Sequence, residues 1–140
     1  MRIVLDTNIL VSALISRAGP PGQVLAEVKR GRLTLITSVA QIAELRRVLD
    51  RPHLRRIIAP DAAQDLMANI DAVGEVVGDL PDVTASPDPD DNLILATAVA
   101  GRADLIVSGD KTDMLALGRI EGIPIVTASA AAEEMRRRYS

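Results

Sequence analysis

The chain has 140 residues, 48% of them apolar and 25% charged, with a formal net charge of −3. That is the make-up of an ordinary globular protein with enough chain to bury a core, and it excludes a generic polyanion binder, which would carry a positive balance. There is no cysteine, Phe or Trp, one tyrosine (Tyr139) and one histidine (His53). Disulfides, thiolate catalysis, histidine-rich metal sites and rows of base-stacking rings are thereby excluded, and any bound ion must be held by oxygens, which suits magnesium or manganese.

In chain order, apolar strand-like runs alternate with helical patterns. Ile3 to Leu5 reads as a buried parallel strand ending in Asp6, with Asn8 placed to cap a helix over Ile9–Ile15. The stretch Ala18-Gly19-Pro20-Pro21-Gly22 breaks that helix, and a second runs from Gln23 to Arg30, stopped by Gly31. Leu33 to Ile36 is the second strand. Ser38 and Gln41 form a capping-box pair that opens a helix through Val39, Ile42, Leu45, Val48 and Leu49, ended by Pro52. Helical pieces follow at Leu54–Ile58 and Asp61–Val73, then a short third strand at Glu75–Val77. After a turn-rich acidic stretch from Gly78 to Asp91, Leu93–Ala100 reads as a buried helix, apolar nearly all round. Leu105–Val107 and Pro124–Val126 are the fourth and fifth strands, with a short helix near Met114–Leu117 between them. A last helix from Ala130 ends in Arg136-Arg137-Arg138. The alternation implies βαβ units, a mainly parallel sheet and one α/β domain over residues 1–140. With no leader-like or membrane-spanning run, a cytoplasmic protein is expected.

Four acids fall where a central site would want them. Asp6 follows the first strand, at the edge where open α/β sheets bind ligands. Glu44 lies in the second turn of the helix after strand two, Asp91 near the start of the buried helix, and Asp110 just after strand four. Neighbouring carboxylates repel and raise one another's pKa unless a cation neutralises them, so such a set points to a divalent ion and metal-assisted hydrolysis of a phosphodiester. Each acid also has a plainer reading. Asp6 could be a turn residue or cap, and Glu44 a solvated partner of Arg47 or Arg51. With Asp88 as N-cap and Pro89 at N1, Asp91 could be the N3 capping acid, and a one-residue register change would exchange it with Asp90. Asp113 could replace Asp110. His53 reads as a loop residue and the terminal arginines as a solvated helix end.

Together these stretches resemble the PIN-domain nucleases, and among them the group described as toxin components of toxin–antitoxin systems. The resemblance is carried by Leu5-Asp6-Thr7-Asn8-Ile9-Leu10-Val11-Ser12-Ala13-Leu14, Glu44-Leu45 with Val48-Leu49, Asp88-Pro89-Asp90-Asp91-Asn92, Ala103 to Lys111, and Gly122-Ile123-Pro124-Ile125. It implies a three-layer α/β/α sandwich with a five-stranded sheet in the order 3-2-1-4-5, and magnesium- or manganese-dependent cleavage of RNA. It further implies Asp6, Glu44, Asp91 and Asp110 as the site acids, with Asn8 and Ser108 as smaller polar helpers. A homodimer and a small antitoxin partner are implied as well. Thr112 interrupts the family's usual run after Gly-Asp-Lys, which leaves Asp110 and Asp113 both open as the residue reaching the ion.

The expected protein is thus a metal-dependent ribonuclease. Asp6, Asp91 and Asp110 would hold the ion, and Glu44 would orient or deprotonate water or hold a second ion about 4 Å away. Arg46, Arg47, Arg51, Arg55, Arg56 and Lys111 would contact phosphates. The rival readings are a non-catalytic PIN-fold module that binds RNA or protein, and a phosphatase with Asp6 as covalent nucleophile. The second would want another acid two residues on, where Asn8 stands.

Overall fold

The computed structural model describes residues 1–139. Among the described residues the elements are β1 (Arg2–Leu5), α1 (Thr7–Ile15), α2 (Pro20–Lys29), β2 (Thr34–Ser38), α3 (Val39–Leu49), α4 (Pro52–Arg55) and α5 (Pro60–Val73). Then come β3 (Glu75–Val77), α6 (Pro89–Ala100), β4 (Leu105–Val107), α7 (Met114–Leu117), β5 (Arg119–Ile120), β6 (Ile123–Val126) and α8 (Ala128–Tyr139).

The sheet order is β3-β2-β1-β4-β6-β5, parallel except for β5, which pairs antiparallel with β6. The α/β/α fold is as expected, but the sheet has six strands rather than five. The added strand is two residues of a tight hairpin whose loop, Glu121-Gly122, has φ of 45° and 81°. Positive φ at both central residues is what a type I′ turn requires, and Glu-Gly is not the Asn-Gly or Asp-Gly pair that would announce one.

Side chains alternate along the strands and divide the core in two. Ile3, Leu5, Leu35, Leu105 and Val107 face a layer built by α1, α2, α3, α5 and α8. Val4, Ile36 and Ile106 face the opposite layer, where α6 supplies Ile94, Leu95 and Ala98 and α7 supplies Met114. Both faces of the central strands are therefore dry, the condition for short parallel strands without polar alternation.

Helix starts differ from the sequence expectation in one direction. α1 begins at Thr7 rather than Ile9, α2 at Pro20 rather than Gln23, α6 at Pro89 rather than Leu93 and α8 at Ala128 rather than Ala130. Each absorbs residues that read as turn formers. Proline is accepted in a first turn because the N–H it lacks has no partner there anyway. Gly22 lets α2 begin so close to α1, since a Cβ there would lie 2.1 Å from the Arg17 carbonyl oxygen. Asn8 is consequently not the cap. Asp6 holds the N-cap position of α1, and Asn8 is an exposed residue of the first turn.

β1 lies between β2 and β4, in register Ile3↔Leu105 and Leu5↔Val107. The connections leave these strands in opposite directions, so the crevice beyond their carboxyl ends is the sheet's switch point. Asp6 and Ser108 emerge side by side there, with Asp6 N–H bonded to the Val107 carbonyl at 2.9 Å. No helix among the described residues is long and apolar enough to cross a membrane.

Candidate metal centre

Three helices and one loop deliver side chains to this crevice. α3 is capped by Ser38, whose Oγ accepts from Gln41 N at 3.2 Å. The other half of the expected capping box is absent. Gln41 instead reaches across and donates from Nε2 to the Leu5 carbonyl at 2.7 Å, satisfying the last buried acceptor of β1. Ser38 and Thr97 hydroxyls pair at 3.0 Å and tie α3 to α6. The helix carrying Glu44 is thereby fixed against both the strand carrying Asp6 and the helix carrying Asp91.

Asp91 is only 7% exposed. Asp88 caps α6 by accepting from Asp90 N at 2.9 Å, and Pro89 follows it. Asp91 does not turn back as a capping acid. Its Oδ2 accepts from Ser86 Oγ at 3.1 Å. Asn92 clamps the backbone of Ser86, accepting from its N–H and donating to its carbonyl, each at 2.8 Å. Ser86 and Asn92 were not singled out as site residues in the sequence. The Ser-Pro-Asp-Pro string that begins at Ser86 carried the available signal, a hydroxyl turn just upstream of a helix cap.

Asp110 and Asp113 come from the loop after β4. Asp110 Oδ1 accepts from Thr112 N at 3.1 Å and Asp113 N at 3.3 Å, so Thr112 is accommodated inside an aspartate-centred turn. This turn brings Asp113 toward Asp110 rather than substituting one for the other. Asp91, Asp110 and Asp113 can each offer one carboxylate oxygen within 4.8 Å of the other two. Asp6 stands just outside this group. Ser108 links them, donating to Asp6 Oδ2 at 2.8 Å and accepting from Asp110 N at 3.1 Å. Glu44 is near enough to feel the charges of Asp6 and Asp90. Asp90 itself is exposed.

The electrostatics match this crowding. Burial pushes the Asp91 carboxyl up to about 7, the Ser86 hydroxyl opposes, and the Asp110 carboxylate pushes it further. Asp110 goes the other way. Its own burial penalty is outweighed by backbone N–H groups of Asp113, Thr112 and Met114 and by the hydrogen bond it shares with Asp91. One proton held between the two accounts for both directions. Burial raises Asp6, against the Ser108 hydroxyl and the backbone N–H groups of Asn8 and Thr7. Burial also raises Glu44, against the nearby Thr7 hydroxyl.

The donor set suits a hard divalent ion. All the donors are carboxylate oxygens, the group is open to solvent on the Asp110 side, and a cation would replace the proton shared by Asp91 and Asp110.

The candidate cations lie on the surface. Arg46, Arg47, Arg51, Arg55, Arg56 and Lys111 are all exposed. Arg46, Arg47 and Arg55 rim a groove of about 740 Å³ between α3, α4 and α5, floored by Leu49, Ile58 and Met67. Arg55 also reaches Asp50 at 3.6 Å. His53 is exposed, and Arg137 and Arg138 pair with Glu133 and Glu134 of their own helix.

A family model described as PIN domain matches residues 2–112. The chain belongs to the PIN domain family. PIN domains are generally nucleases that use divalent metal ions and bind RNA. The matched span takes in Asp6, Glu44, Asp91 and Asp110 and stops one residue before Asp113. The chain is also similar to an uncharacterized protein of Methanocaldococcus jannaschii, 26% identical over 118 residues, an alignment covering 84% of this chain and 75% of that protein.

Proposed function

We propose that this PIN domain is a magnesium- or manganese-dependent endoribonuclease, one domain over its 140 residues. We propose further that it is the toxin of a type II toxin–antitoxin pair in the cytoplasm, a homodimer held in check by a small antitoxin protein. The nuclease reading is carried by one observation: carboxylates from β1, α3, α6 and the loop after β4 converge on one crevice, and Asp91 is pushed up to about 7 there. The toxin and dimer assignments draw on the motif string from Leu5 to Leu14 and its companions.

In this reading Asp91, Asp110 and Asp113 would hold the ion, with Asp6 beside them. A bound divalent ion supplies positive charge that acidifies water and neutralises charge building on the phosphate. Ser108 keeps Asp6 facing the crevice, and Asn8 and Asp90 line its mouth. Glu44 orients the attacking water and takes its proton as the new bond to phosphorus forms. The bond to the leaving sugar oxygen breaks, and that oxygen takes a proton from solvent. The exposed arginines from Arg46 to Arg56, with Lys111, contact flanking phosphates.

The test is cleavage of structured RNA by the purified protein. Cutting that stops in EDTA and returns with added magnesium or manganese is the expected result. Undiminished cutting in EDTA would remove the ion from the reaction.

A further inference from the structure

A second charged concavity lies away from the acidic crevice. A cavity of about 390 Å³ opens between α2 and α8, lined by Arg17, Arg30, Arg32 and Arg136 over a floor of Ala26, Ala132 and Met135. The strands fix its place. The crevice lies beyond their carboxyl ends, whereas Arg32 stands just before the amino end of β2, and the Tyr139 hydroxyl donates to the Arg32 carbonyl at 3.2 Å.

The chain carries a net charge of −3, so four guanidinium groups around one cavity run against its overall balance. Glu27 is the one acid in the lining. Its side chain is 11% exposed, and its two oxygens accept from Arg30 at 2.7 Å and from Arg32 at 3.2 Å. A carboxylate so nearly buried needs such partners, and Arg30 also sits at the carbonyl end of α2, which favours a cation. Those two arginines are therefore accounted for by the fold. Arg17 and Arg136 are not. Arg17 enters no ion pair among the described residues, and Arg136 donates to a neutral group, Gln23 Oε1, at 2.8 Å. Arg32 also lies 5.3 Å from the centroid of the Tyr139 ring, which holds its plane.

Counting Glu27 against the four arginines leaves three positive charges in one cavity. Like charges so gathered repel, and a bound anion removes that cost. Guanidinium forks match phosphate oxygens. A phosphodiester of RNA brings one negative charge per link, whereas the polyphosphate of a nucleotide brings several within the reach of a single cavity. The volume is that of a small-ligand site, which runs from about 300 to 1,000 Å³. The apolar floor offers a surface for the uncharged part of such a ligand.

We propose that this cavity binds a nucleoside polyphosphate, its phosphates held by Arg17 and Arg136 and its nucleoside set against Ala26, Ala132 and Met135. The proposal is independent of the nuclease reading, since it concerns the opposite end of the sheet.

The test is calorimetric titration of the full-length protein in EDTA at near-physiological salt, with ATP, AMP, tripolyphosphate and a short unstructured RNA as probes. In EDTA the acidic crevice holds no ion that could recruit phosphates, so binding there reads the arginine cavity. ATP should bind at least about tenfold more tightly than AMP and than tripolyphosphate, the first difference from charge and the second from the apolar floor. Arg17→Gln and Arg136→Gln should each weaken ATP about tenfold, the loss of one charge-assisted contact. Both variants should keep the melting temperature and the RNA cleavage of the wild type, because both residues are exposed and lie away from the crevice. Unchanged ATP affinity in the double variant would overturn the assignment of the site. Tripolyphosphate binding as tightly as ATP would overturn the nucleoside part of the proposal. RNA that binds more tightly than ATP, displaces it and is itself weakened by the two substitutions would make the cavity an RNA contact and overturn the proposal. Cleavage plays no part in the binding readout, so a protein that cuts no RNA yet binds ATP here sinks the nuclease reading and leaves this site standing.

Discussion

Glu44 shows how little charge a helix needs where this one is placed. α3 is patterned by Leu45 and Val48 inward and Arg46 and Arg47 outward, and nothing in its packing calls for a carboxylate at 44. Burial raises its pKa, so the charged form costs the folded state something at neutral pH. Glu44→Gln keeps shape and volume and removes that cost. The variant should therefore melt at or slightly above the wild type, while cleavage falls on the order of 10²- to 10⁴-fold, the usual contribution of a general base. Wild-type turnover would identify Glu44 as a solvated helix acid instead. The sequence could single out Glu44, Asp6, Asp91 and Asp110, because each stands at a fixed offset from a strand or cap. Ser86 carries a weaker signal, a hydroxyl turn just upstream of the α6 cap, because its role comes from the Asp91 carboxylate it faces. Asn8 failed for a different reason: it is a good cap residue by type, but Asp6 already holds the position one turn-start earlier.

At the level of elements, what the chain announces is the existence of five of the strands, because apolar runs of three to five residues between turn formers admit few other readings; their order comes from the family resemblance. What it hides is where helices begin. Pro20-Pro21 looks like loop and is a first turn, whereas Pro89 takes the N1 place that the reading of Asp88 as N-cap gives it. The β5–β6 hairpin was equally hidden, its outer strand being two residues long. The most exacting junction is the end of α6. A Cβ on Gly101 would stand 2.3 Å from Ile36 Cγ2 and 3.1 Å from Val77 Cγ1, so α6 can lie on β2 and β3 only because that position carries no side chain. Gly101→Ala should push the end of α6 off the sheet and destabilise the protein by about 1–3 kcal/mol, the usual cost of overpacking. Urea unfolding measures it. A midpoint unchanged from wild type would mean that the Ile36 side chain simply moves aside. Because Asp91 lies three turns away at the other end of the same helix, the folded fraction of the variant should keep its cleavage.

Across the whole molecule, the site opposes the fold that carries it. Within the site, Asp91, Asp6 and Glu44 bind protons more tightly folded than unfolded, and Asp110 leans the other way. The expectation that all the clustered aspartates are raised thus fails at Asp110, whose carboxylate is fed by backbone N–H groups. The sign for stability follows from Asp91, the largest raised group. Its pKa is 3.8 ordinarily and about 7 in the folded metal-free protein. Below the lower value it is protonated in both states, and the fold gains the full benefit of the bond to Asp110. As pH climbs through the higher value the folded protein must also release the proton, and the benefit is gone. Allowing for the opposite shift at Asp110, the metal-free protein should lose about 1–3 kcal/mol of stability between pH 4 and pH 8 from this pair. Asp91→Asn reproduces the protonated state permanently, since its amide can donate to Asp110 where the carboxylate cannot. In EDTA the variant should match wild type near pH 4 and melt higher at pH 8. Manganese should then raise the wild-type melting temperature at pH 8 by more than that of the variant, because an ion that binds only the folded site stabilises in proportion to its affinity. Melting curves of both proteins at the two pH values in EDTA, and at pH 8 in manganese, separate the possibilities. If Asp91→Asn melts lower than wild type at pH 8 and manganese shifts both equally, Asp91 is a structural acid tied to Ser86, and the ion sits elsewhere in the crevice.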